Sequence, residues 1–222
     1  ISVRLMRVAN SAAGGRKVGT LPQAVLRLGL DLTRLLVSGL AVEQMFWSES
    51  PALQDRLRRC WNDSVEVGAL AQVIAARRTK LQPEMALLAG LVHQVGALPI
   101  LKLAEKHLEI DGQADVLDDV LTSLAPRVGR MVLQAWGFPQ ELVDVPAGCR
   151  DFTRSHEGAG DYTDIVLVAT LHHCGRHDAE VAAVDRTKVS AYARLKLTPA
   201  MDLVEQLDAA TELEQQRTLL AA

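Results

Sequence analysis

Gln82-Pro83-Glu84-Met85-Ala86-Leu87-Leu88-Ala89-Gly90-Leu91-Val92-His93-Gln94-Val95-Gly96 is the stretch from which the fold of this chain is read. Gln82-Pro83-Glu84 opens a helix, with proline at a first-turn position where its missing N–H costs nothing. Leu88, Leu91, Val92 and Val95 then fall at i, i+3, i+4 and i+7, the spacing of one buried helical stripe, so this segment is expected at the centre of a helical core.

The same pattern lies on either side of it. Ser50-Pro51 opens a long helix running to about Arg78, in which Val67, Leu70, Ala71 and Ile74 repeat the stripe. Further upstream, a first helix ends near Asn10 and Ser11, and the glycines of residues 13–19 read as a loop. Thr20-Leu21-Pro22-Gln23 has the form of a capping box that starts a short helix to about Gly29. Asp31 caps another helix through about Met45. Downstream, helices are expected over residues 113–124, 126–136 and 139–147, then a polar break at 150–161, then an apolar helix from Tyr162 to about Cys174. Thr198-Pro199 repeats the cap-plus-proline pattern before a terminal helix with Leu203, Val204 and Leu207.

Leu, Ala and Val dominate while only 4% of residues are aromatic, a balance that favours helix packed on helix over a sandwich of sheets. The expected fold is all-α, a bundle of about ten helices. Residues 1–222 read as one domain with an N-terminal sub-bundle over 1–46 and a second over 51–222, truncated at its N-terminus because the chain opens at Ile1 inside an amphipathic helix. A net charge of −3 supplies no field to hold a phosphate backbone or an anionic membrane. The cysteines Cys60, Cys149 and Cys174 are scattered and never in a Cys-x-x-Cys pair, which fits a reducing cytoplasm and neither a disulfide framework nor a zinc ribbon. No apolar run suited to crossing a bilayer is seen.

Leu5-Met6-Arg7-Val8-Ala9-Asn10-Ser11 followed by Leu21-Pro22-Gln23-Ala24-Val25-Leu26-Arg27-Leu28-Gly29-Leu30 resembles the opening signature of the HDOD family, the HD-related output domain. Trp61, then residues 88–96, then Ala135-Trp136-Gly137-Phe138-Pro139 follow in that family's order and approximate spacing. The resemblance covers roughly residues 1–175 and is carried by the order of these landmarks, since no single one is highly specific. It implies a bacterial, cytoplasmic, HD-domain-like helical module of signalling, built on the scaffold of a metal-dependent phosphohydrolase whose catalytic residues are generally not retained.

An HD phosphohydrolase needs a His, an adjacent His-Asp pair and a distal Asp converging on one or two metals, because several ligands must hold the ion while it generates hydroxide. Here His93 is followed by Gln94, which carries no charge for a hard cation, and the upstream His position falls near Asp63. Asp63, His93 and Gln94 are therefore read as a vestigial pocket. His93 is expected to pack beside Gly90 within a polar remnant, with Gln94 giving neutral hydrogen bonds where a carboxylate once coordinated. His173 and His177, four residues apart, are a second candidate for zinc or nickel; the favoured reading is a helix end whose imidazoles face solvent and the terminal carbonyls.

Arg56, Arg58, Arg59, Arg77 and Arg78 read as a solvated face balanced by Glu49, Asp55, Asp63 and Glu66. Gly14-Gly15 lacks the Lys-Ser or Lys-Thr of a phosphate loop. Asn10-Ser11 organises the glycine-rich turn, and Trp61 and Trp136 are expected as core anchors. No nucleophile elbow or reactive-cysteine context occurs, and no catalytic residue, metal or cofactor is assigned. The function read from these residues is a non-catalytic regulatory module acting by protein–protein or domain–domain interaction. The alternatives are a residual metal-dependent phosphohydrolase and a nucleotide sensor using the vestigial pocket.

Overall fold

The computed structural model describes residues 2–11, 17–30, 50–106 and 114–208, with Thr33, Val37, Ala41, Ala210, Leu213 and Glu214. Among these residues every regular element is helical, as the composition implies. The helix expected from Asp31 to Met45 and the Gly14-Gly15 turn lie outside the described residues, apart from isolated positions.

The N-terminal pair is α1 (Ser2–Ser11) and α2 (Leu21–Leu28). Thr20 caps α2 by accepting from the Gln23 amide at 3.5 Å, and the Gln23 side chain reaches back to the amide of Gly19 at 3.1 Å. Asn10 closes the turn between the two helices: its Nδ2 donates to the Val18 carbonyl at 3.0 Å and its Oδ1 accepts from the Val18 amide at 2.6 Å. The expected role of Asn10 is thereby seen directly.

The body is built on α3 (Pro51–Arg78), α4 (Pro83–Val92) and α9 (Tyr162–Cys174). Every residue of α4 from Met85 to Val92 is buried. Burying Leu87, Leu88 and Leu91 completely contributes roughly 1.5–3 kcal/mol each before chain entropy is counted. In α9 only His173 escapes full burial, so this helix shares the centre with α4. Contrary to the sequence reading, one run, Pro83–Ala104, is apolar enough and long enough to cross a membrane, but 72% of its most apolar window is buried within the protein and its helix is interrupted at residues 93–96. It is a core segment.

At that bend, amides bond three residues back, Val95 to Val92 and Ala97 to Gln94, and α5 (Ala97–Ala104) begins. Two glycines set the approach of neighbours on either side. A Cβ on Gly90 would lie 2.4 Å from the Gly68 Cα, and one on Gly96 would lie 2.0 Å from the Ala125 carbonyl oxygen. The chain around His93 is thus pinned against α3 on one side and α6 (Ala114–Ala135) on the other.

The structure departs from the sequence reading in four places. Residues 113–124 and 126–136 are not two helices: α6 runs unbroken through Pro126, because a proline deletes one hydrogen bond of many and the helix is held by packing on α5, α7 and α8. Residues 139–147 form two single turns, α7 (Gln140–Val143) and α8 (Val145–Gly148), with Pro146 in the first turn of the second. Asp202, not Thr198, caps the helix that carries Leu203, Val204 and Leu207, α12 (Leu203–Leu207), accepting from the amides of Val204 and Glu205; short helices α10 (Ala179–Ala182) and α11 (Ser190–Arg194) precede it. Trp136 is 40% exposed and leaves the core place to Phe138, whereas Trp61 packs partly buried against the core as expected.

Candidate functional site

His93 sits at the C-terminal end of α4 and is 5% exposed. Its Nδ1 lies 2.6 Å from the Gly90 carbonyl oxygen. A carbonyl only accepts, so Nδ1 carries the proton and Nε2 carries the lone pair. That lone pair faces the Gln94 side-chain amide, whose Nε2 donates to it at 3.2 Å. Burial pushes the pKa of His93 down to about 4, against smaller upward pulls from the Gly90 carbonyl and the charge of Asp63. The imidazole is neutral, and both of its nitrogens are engaged.

Asp63, on the middle of α3, turns to other partners. Its Oδ1 lies 2.8 Å from His173 Nε2 and 3.7 Å from His177 Nε2. The two imidazole rings stand edge to face with centroids 5.1 Å apart. One ligand atom from each of the three residues falls within 4.8 Å of the others. Beyond them, Arg150 donates to Asp178 at 2.7 Å, and its charge is felt by His93 and Cys174. His172 is buried, with its Nε2 accepting from Arg176 at 3.0 Å, and burial with the Arg176 charge lowers its pKa to about 4. His173 departs from the expectation that these imidazoles face solvent at a helix end, since it meets Asp63, an acid 110 residues away, while the side chain of His177 stays half exposed beside the same carboxylate.

Residues 1–149 match the model of the HDOD domain. This chain belongs to the HDOD domain family. Among solved structures it is similar to a proposed metal-dependent phosphohydrolase from Shewanella amazonensis SB2B, at 24% identity and a TM-score of 0.82, covering 99% of this chain and 80% of that one. It is also similar to an HDOD domain protein of unknown function from Geobacter sulfurreducens (19% identity, TM-score 0.58, 98% and 80% covered) and to the MmoQ response regulator from Methylococcus capsulatus str. Bath (20%, 0.52, 93% and 83%). At these identities the likeness shows a shared fold. No curated protein matches the chain.

Within this HDOD fold His93 and Gln94 stand at the HD position. Where an HD pair has a carboxylate after its histidine this chain has Gln94, whose amide donates to the Nε2 lone pair of His93. Asp63, the third residue singled out in the sequence, lies near enough for its charge to act on His93, but its contacts run to His173 and His177.

A second polar cluster joins the loop before α9 to α11. Asp164 is wholly buried and accepts from Arg154 at 2.6 Å, from Arg194 at 2.7 and 2.8 Å, and contacts His156 at 2.9 Å. Burial alone would raise its carboxyl, but hydrogen bonds from Arg194 and His156 and the charge of Arg154 carry it below the usual range. Asp161 and Asp164 also form the capping box of α9. With its acceptors filled by guanidiniums and amides, this cluster holds the fold. Three of the arginines of α3 are likewise engaged: Arg56 pairs with Asp118, Arg58 with Asp55 at 2.8 Å, and Arg78 donates to the Gln206 carbonyl at 2.7 Å. Burial raises the thiols of Cys60, Cys149 and Cys174 to about 11, 12 and 11, so each stays protonated and a poor nucleophile.

Proposed function

We propose that this HDOD domain is a non-catalytic regulatory module of bacterial signal transduction that acts through contacts with a partner protein or a neighbouring domain. The observation that carries the reading is the Gln94 amide on the lone pair of His93, which leaves the HD position without a carboxylate and without an open imidazole. The description of one structural neighbour as a response regulator supports a signalling role. A surface for such contacts is offered by Val116, Leu124 and Met131, spaced eight and seven residues apart on the outer side of α6 and exposed, with Trp136 just beyond. The net charge of −3 favours neither nucleic acid nor an anionic membrane as that partner, and the scattered cysteines fit a cytoplasmic setting.

The competing reading, residual phosphohydrolase activity, draws on the description of the Shewanella neighbour. Turnover of a generic phosphodiester and of a cyclic dinucleotide by the full chain with added Mn²⁺ separates the two. Background rates, unchanged in His93→Ala, are expected. Turnover above background that disappears in His93→Ala would overturn the proposal.

A further inference from the structure

One carboxylate and two imidazoles meet where the middle of α3 passes the end of α9. Asp63 reaches this point from α3, His173 from the last turn of α9, and His177 from the turn that follows, whose amide bonds back to the Cys174 carbonyl at 3.0 Å. Both imidazoles direct Nε2 toward the same oxygen, Oδ1 of Asp63, at 2.8 and 3.7 Å. We propose that Asp63, His173 and His177 form a binding site for a single divalent transition-metal ion of the zinc type, which ties α3 to the end of α9.

The geometry is close to what such an ion requires. Zinc bonds to imidazole nitrogen and carboxylate oxygen are about 2.0–2.2 Å long, so donors in a tetrahedral set lie about 3.4 Å apart. His173 would have to draw back from Asp63 by about half an ångström and His177 to close by a few tenths, and the ligand atoms of the two imidazoles, within 4.8 Å of each other, would have to settle at the same spacing. The entrance is open on one side: the side chain of His177 is 51% exposed while those of Asp63 and His173 are 23% and 19% exposed, so an ion enters from solvent and water completes its shell. Two borderline nitrogen donors with one carboxylate select zinc, cobalt or nickel over magnesium or calcium, which prefer an all-oxygen shell.

The other cluster of potential ligands, His156 with Asp161 and Asp164, fails the same test. Arg154 and Arg194 occupy its carboxylates and place two positive charges beside any ion. Among the described residues the ion-pair partners of Asp63 are imidazoles, which give up a proton to bind a metal, rather than guanidiniums, which do not. The site shares Asp63 with the HD position read from the sequence and leaves out His93 and Gln94. It holds whether or not the chain has phosphohydrolase activity.

The test uses the full chain, stripped with a chelator, dialysed and titrated with Zn²⁺, and separately with Co²⁺, whose visible absorption reports its ligand geometry. One equivalent of Zn²⁺ is expected, with a rise in melting temperature. His177→Ala, His173→Ala and Asp63→Asn should each lower the affinity by about tenfold or more, while His156→Ala binds as the parent does. Because His177 is half exposed, its alanine variant keeps the fold, and its melting curve without metal verifies this. Failure to bind an equivalent of Zn²⁺, or an equivalent bound with unchanged affinity in His177→Ala, would overturn the proposal. Phosphodiester turnover is read separately: a zinc-loaded, inactive protein supports both proposals, and a zinc-loaded, active one removes only the regulatory reading.

Discussion

Gly90→Ala tests the helix crossing on which the position of His93 depends. The added Cβ would stand 2.4 Å from the Gly68 Cα, 2.5 Å from the Gly68 nitrogen and 2.9 Å from the Val67 carbonyl carbon. All three are backbone atoms of α3, so no rotamer change relieves the clash, and the helices must part by about 1 Å to restore contacts near 3.5 Å. Overpacking of this kind costs about 1–3 kcal/mol, and a rigid obstacle puts it at the upper end. Alanine returns about 1 kcal/mol of helix propensity, leaving a net loss of about 2 kcal/mol. For a chain of this size that is a fall of about 4–8 °C in melting temperature, followed by far-ultraviolet circular dichroism. Gly68→Ala is the internal reference: its Cβ meets the Leu87 carbonyl oxygen at 3.1 Å and the movable Leu87 Cδ1 at 3.2 Å, so the change should stay within about 1 kcal/mol of zero. A Gly90→Ala protein melting within about 1 °C of the parent, or no lower than Gly68→Ala, would refute the crossing.

Two further outcomes follow from the buried charges. His93 and His172 titrate near 4 in the folded chain and near 6.5 when unfolded. Between those values the unfolded chain binds more protons, so stability should fall as pH drops from 6.5 toward 4, by about 3 kcal/mol for the fully buried His93; urea unfolding across this range that shows no loss would contradict it. Asp164→Asn leaves Arg154 and Arg194 beside a neutral, buried amide and should cost about 3–5 kcal/mol in the same assay; a loss below about 1 kcal/mol would mean that the cluster does not hold the fold.

The core was legible because its signals are local. The stripe of Leu88, Leu91, Val92 and Val95 and the contact of Gln94 with His93 are each contained within one or two turns, and the structure buries the stripe as the spacing implies. Family membership was legible in the order of landmarks. The breaks were read less well, because whether Pro126 ends a helix is decided by what packs against it, and α5, α7 and α8 lie elsewhere in the sequence. Trp136 and Phe138 compete for one core position, with rings 6.3 Å apart, and composition does not say which wins. At the candidate site the spacing of His173 and His177 was visible, and so was Asp63 as a candidate, but a pairing across 110 residues leaves no local trace. Local spacing therefore groups Asp63 with His93 and leaves the two histidines facing solvent.

The state of His93 is the most direct test of the central claim that the HD position has been closed by Gln94. Long-range ¹H–¹⁵N correlation spectra of the full chain, recorded over pH and with Mn²⁺ or Zn²⁺ added, report it. His93 is expected as the Nδ1-protonated neutral tautomer, unprotonated at Nε2 down to about pH 4 and unmoved by Zn²⁺, while the resonances of His173 and His177 respond. Coordination of Zn²⁺ or Mn²⁺ by His93 Nε2, seen as a shifted or broadened resonance at that nitrogen, would contradict the account.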